Sequence, residues 1–125
     1  MTFQNQIQQK RQNLDIETQW EFLLGKLAHI IGKKPENLDA VLFLIGVQEL
    51  GQGKRHFTKE QKQDLMHIAT CKVLSKLGFY TLKGLDQDGW PHWEAMRSLP
   101  KLSLEEQDKL LKTQVIEYFE EEEIF

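Results

Sequence analysis

The stretch 58-TKEQKQDLMHIATCKVLSKLG-78 decides how this chain folds. Thr58 followed three residues later by Gln61 has the pattern of a capping box, in which each side chain accepts from the other residue's backbone N–H. Between that start and Gly78, a glycine suited to the left-handed stop, nothing interrupts a helix. Asp64, His67 and Cys71 recur at i, i+3 and i+7, which at 3.6 residues per turn puts them within about 60° of one another. Lys62, Lys72 and Lys76 gather on the opposite side. If the lysines face water, the Asp–His–Cys stripe faces the interior, where a charge is costly unless it finds a partner. The segment therefore predicts a central helix with a polar stripe turned inward.

Upstream, a helix is predicted from Asp15 or Ile16 to Gly32, with Ile16, Trp20, Leu23, Leu24, Leu27 and Ile31 on one face. A second opens at Pro35, where Glu36 and Asp39 complement the positive end of its dipole, and stops at Gly51. It is apolar on almost every side (Leu38, Val41, Leu42, Phe43, Leu44, Ile45, Val47, Leu50), which places it at the centre of the fold. The seven-residue connector Gly51–Phe57 is long enough to turn it back antiparallel to the third helix. Downstream, 79-FYTLKGLDQDGWPHWEAM-96 is aromatic and centred on an Asp-Gly turn. It reads as a short β-hairpin or irregular insertion, with Pro91 confining the second strand to an edge. Ser103 and Glu106 form a second capping-box pattern for a last helix built on Leu104, Leu111, Val115, Tyr118 and Phe119. The expected fold class is mainly α: a compact bundle of four to five helices in a single domain, 1–125, with an insertion around residues 79–96. Residues 1–14 fray or form a short helix docked by Phe3, Ile7 and Leu14, and residues 120–125 make an acidic tail.

Composition narrows the function classes. With 125 residues, 40% hydrophobic and 28% charged, the chain has the make-up of a soluble globule. Its formal charge of −3 gives no general attraction to nucleic acid or to anionic membranes. The single cysteine cannot form an intrachain disulfide, no secretory h-region opens the chain, and no apolar run is long enough to span a bilayer. These point to the cytoplasm. No motif matches a characterised family.

Three groups of residues carry chemical interest. The first is Glu49, Asp64 and His67, expected to meet where the second helix runs beside the first turns of the third. The structural reading is a hydrogen-bonded network between helices; the catalytic one is a carboxylate–imidazole site. As metal ligands they are an incomplete set, needing His56, His92 or Cys71 to be recruited, so neither metal nor cofactor is expected. A nucleophilic Cys71–His67 pair lacks the oxyanion donors that a mid-helix position cannot supply. The second group is Lys54, Arg55 and His56, a basic connector ahead of a helix N-terminus with some capacity for anions but without P-loop spacing. The third is Trp90, His92 and Trp93, which either cover the end of the core or present a surface to a protein partner. Asp86 and Asp88 lack the further ligands of a calcium loop. The reading that results is a small interaction or structural protein, with a small-ligand-binding or metal-dependent enzyme using Glu49, Asp64 and His67 as the alternative.

Overall fold

The computed structural model describes residues 15–53 and 55–122. Among these, four helices and one hairpin follow in the order α1 (Ile16–Ile31), α2 (Leu38–Leu50), α3 (Lys59–Ser75), β1 (Tyr80–Leu85), β2 (Pro91–Ala95) and α4 (Leu104–Glu121). The chain is mainly α with a small antiparallel β insertion, as its patterning predicts. The leading segment 1–14 and the end of the acidic tail, 123–125, lie outside the described residues, while Glu120 and Glu121 belong to α4. No helix among the described residues is long and apolar enough to cross a membrane.

Local chemistry sets the helix boundaries. Both predicted capping boxes form: Thr58 with Gln61 on α3, and Ser103 with Glu106 on α4. Helix α2 begins three residues later than its sequence suggests. Asn37, extended at φ −161° and ψ −179°, accepts from the Ala40 N–H at 2.9 Å and so caps the helix, in place of the expected opening at Pro35. Helix α3 ends in a Schellman arrangement, in which Phe79 N–H donates to Leu74 O and Gly78 N–H to Ser75 O, with Gly78 at φ 83°. That bend sends the chain directly into β1.

The main core joins Trp20, Leu23, Leu24 and Leu27 of α1 to Val41, Leu42 and Ile45 of α2, Ala69, Val73 and Leu74 of α3, and Val115, Tyr118 and Phe119 of α4. Helices α2 and α3 approach closely at Gly46, where an added Cβ would lie 2.3 Å from the Leu65 carbonyl oxygen. A smaller cluster, Leu50, Phe57, Leu65 and Ile68, sits beneath the connector, with Phe43, Val47 and Trp90 against it. Lys62 and Lys76 are exposed as expected, but burial on α3 (Leu65, Ile68, Ala69, Cys71, Val73, Leu74) spans about 260° of its circumference, so the lysines do not mark a continuous solvent face. Lys72 runs its stem along the buried side and brings its Nζ to within 3.7 Å of Glu49.

The hairpin lies against α3. Tyr80 pairs with Ala95, Thr81 with Glu94 and Leu82 with Trp93. The register then shifts by a bulge at Lys83, so that Gly84 meets His92 and Leu85 meets Pro91. Its loop turns tightly: Gly89 N–H donates to Asp86 O at 3.0 Å, Gly89 takes φ 84°, and Asp86 N–H donates to Trp90 O at 2.9 Å.

Candidate functional site

The cleft between α3 and the end of the hairpin, about 490 Å³ and open to solvent, is where residues singled out in the sequence come together. Helix α3 contributes Gln61, Asp64, His67 and Ile68; the hairpin contributes Asp86, Asp88, Trp90, Pro91, His92 and Trp93. The Asp64–His67 stripe does face a neighbouring element, but that element is the hairpin. Only Cys71 of the three is buried; Asp64 and His67 are exposed, lining the open cleft between α3 and the end of the hairpin and not a seam with α2.

Glu49 does not join them. Crossing at Gly46 over Leu65 leaves its half-buried carboxylate facing α4, where the Tyr118 hydroxyl donates to Oε2 at 2.8 Å while Lys72 approaches Oε1. The expected Glu49–Asp64–His67 contact is therefore replaced by a Tyr118–Glu49–Lys72 network across three helices. Burial and the adjacent Glu49 carboxylate push the Tyr118 hydroxyl well above the usual phenol range.

The hairpin turn organises one wall of the cleft. Asp86 Oδ1 accepts from the backbone N–H groups of Asp88 (2.9 Å) and Trp90 (3.0 Å), and Oδ2 lies 3.0 Å from His92 Nε2. The His92 hydrogen bond, followed by that from Trp90, holds the Asp86 carboxyl below its ordinary range, so it stays ionised. Trp90 also faces the connector: its ring is edge-on to Phe57 at 6.4 Å, and the Arg55 guanidinium lies over both rings at 5.9 and 4.9 Å. Gln52 ties the two loops together by donating to Asp88 O at 2.8 Å and accepting from Arg55 at 2.9 Å. The connector and the aromatic turn, separate candidates in the sequence, are thus one assembly. Arg55 is engaged in it, His56 is exposed, and Lys54 lies outside the described residues.

The groups lining the cleft can accept hydrogen bonds, pair with charge and stack. Cys71 Sγ is 3.5 Å from His67 Nε2, but burial pushes its thiol up to about 11, which leaves it a poor nucleophile at neutral pH. No group of three or more His, Cys, Asp or Glu among the described residues is placed to hold a metal ion. What remains is a concave surface with three carboxylates, two imidazoles and two indoles. The Trp93 indole N–H is buried at its edge and donates to no acceptor among the described residues. In the sequence alone Asp86 and Asp88 read only as an imperfect calcium loop. The signal that could have placed them here is the five-residue Asp-x-Asp-Gly-Trp turn, which aims both acids and an indole to one end of a hairpin packed on the preceding helix. Compared with protein-family models, curated proteins and solved structures, the chain has no significant match.

Proposed function

We propose that this protein is an interaction module of the cytoplasm, and that the cleft between α3 and the hairpin receives a basic side chain, lysine or arginine, from a protein partner. The observation that carries the reading is the convergence of Asp64, Asp86 and Asp88 with Trp90 and Trp93 on one open concavity. Carboxylates accept from ammonium or guanidinium donors, and an indole face attracts the same cation. A peptide ligand also brings a backbone carbonyl that the unmet Trp93 N–H can reach after a small side-chain adjustment. The same carboxylates repel phosphate, which argues against a nucleic-acid partner at this surface. Exposed ion pairs contribute about 0.2–1 kcal/mol each and an exposed cation–π contact about 0.5–1 kcal/mol, so a single docked side chain binds in the high-micromolar to millimolar range.

An enzyme that uses His92 as a base has the Asp86–His92 hydrogen bond in its favour. Peptide titration followed through the Trp90 and Trp93 indole resonances separates the readings. Peptides carrying lysine or arginine shift both signals, binding weakens as salt is raised, and Asp64→Asn or Asp88→Asn reduces it about threefold or more. Equal shifts from an acetyl-lysine or glutamate peptide, or none at millimolar concentration, refute cation recognition.

A further inference from the structure

Helix α1 carries large apolar side chains on two sides. One side, Trp20, Leu23, Leu24 and Leu27, fills the core. The other leaves Phe22 58% and Ile30 53% exposed, along a shallow groove of about 820 Å³ that also runs past Glu21, Gly25, Lys26 and His29. This surface is far in chemistry from the acidic cleft, and nothing in the cleft reading requires it.

Gly25 stands at its middle. A glycine inside a helix costs about 1 kcal/mol relative to alanine, so it calls for a reason. A Cβ added here would meet no atom within 4 Å, and the residue sits mid-helix, so neither internal packing nor a turn supplies one. A bare backbone at the centre of an exposed apolar face suits close approach from outside.

We propose that the occupant is a second copy of this chain, docked α1 against α1 in antiparallel fashion about a two-fold axis at Gly25. The argument for a second copy is charge complementarity. An antiparallel crossing at Gly25 matches positions equally far on either side of it, so Glu21, four residues before, meets His29 of the second copy, four residues after, and the symmetry makes the contact twice. Within one chain Lys34 holds Glu21 Oε2 at 2.9 Å, which leaves the other carboxylate oxygen to accept from the imidazole N–H. The same crossing lays each Phe22 beside Ala28 and His29 of the opposite helix. A parallel pairing would set Glu21 against Glu21 instead. From Thr18 to Ile30 the face is about 18 Å long and one helix wide. That is well below the ~800 Å² per partner of a standard interface, so the dimer is weak, with a dissociation constant on the order of 0.1 mM.

Sedimentation equilibrium of the full chain from about 10 µM to 1 mM tests this. The expected result is a reversible monomer–dimer equilibrium that Phe22→Asp weakens at least tenfold and Gly25→Ala several-fold. Glu21→Lys and His29→Glu should each weaken it about fivefold, and the double exchange should restore it to within about threefold of the parent. All four positions are exposed, and circular dichroism confirms that each variant is folded. A strict monomer up to 1 mM overturns the proposal and leaves the face to residues 1–14 or to a different protein. A dimer indifferent to Phe22→Asp, or a double exchange no better than its single members, overturns it equally.

Discussion

Replacing Gly46 with alanine is the sharpest test of how α2 and α3 are held together. The new Cβ would lie 2.3 Å from Leu65 O, 2.7 Å from Leu65 C and 2.8 Å from Leu65 Cβ, where ordinary contact begins near 3.4 Å. Relief demands that the helices part by roughly 1.1 Å, the difference between 3.4 and 2.3 Å. Two of the three atoms are backbone, so no rotamer change can absorb the clash. Overpacking typically costs about 1–3 kcal/mol, and the rigid obstacle argues for the upper end. Alanine returns about 1 kcal/mol through helix propensity, leaving a net destabilisation of about 2 kcal/mol. For a chain of this size that lowers Tm by about 8 °C. The same parting stretches the Tyr118–Glu49 hydrogen bond, which begins at 2.8 Å. Urea melts followed by tryptophan fluorescence and by far-ultraviolet dichroism measure the loss. Gly25→Ala, studied at low micromolar concentration, is the matched control: nothing lies within 4 Å, so it should gain about 0.5–1 kcal/mol. A Gly46→Ala protein within about 0.5 kcal/mol of the parent would show that the two helices are not held this close.

Two further outcomes follow from buried groups. Burial raises the Cys71 thiol from 9.0 to about 11, so the folded state favours the protonated form; that stability is fully present below pH 9 and is lost as the pH rises through about 11. Cys71→Ala should flatten the alkaline limb of a stability–pH profile, and the native thiol should resist a disulfide reagent that labels it at once in urea; fast labelling of the native protein would contradict its burial. Tyr118→Phe removes the donor to the half-buried Glu49 carboxylate and should cost about 1–2 kcal/mol, whereas Tyr118→Phe combined with Glu49→Gln should recover part of it. Strict additivity of the two substitutions in denaturant melts would deny the coupling.

The parts of the fold that were legible in the sequence are those set within a few residues. The Thr58–Gln61 and Ser103–Glu106 caps, the Asp-Gly turn and the all-round apolar α2 each depend on neighbours in the chain, and each is found. The start of α2 was missed because Pro35 and Asn37 both carry start signals, and the side chain able to accept from the helix won. The candidate site was legible in its members but not in its grouping. Asp64, His67, Trp90, His92 and Trp93 were all singled out, yet their meeting depends on where the Schellman bend after α3 throws the hairpin, which no local pattern encodes. Glu49 went astray for a related reason. Its donor, Tyr118, is 69 residues away, and lysines are a poor marker of solvent on a helix whose neighbours cover about 260° of it.

The contact between α1 and α4, where Lys112 reaches Glu17 across 95 residues, has a consequence for how the chain folds. From α2 to β2 each element meets one that lies close to it in sequence, so this stretch can assemble by short loop closures. Joining α1 to α4 closes a loop of 95 residues, most of the chain, at a cost of about 4 kcal/mol in chain entropy by the logarithmic scaling of loop length. Part of that cost has already been met once the middle is ordered and the two outer helices are brought near each other. The α1–α4 seam is then the last part of the protein to form and, in the native state, the first to open.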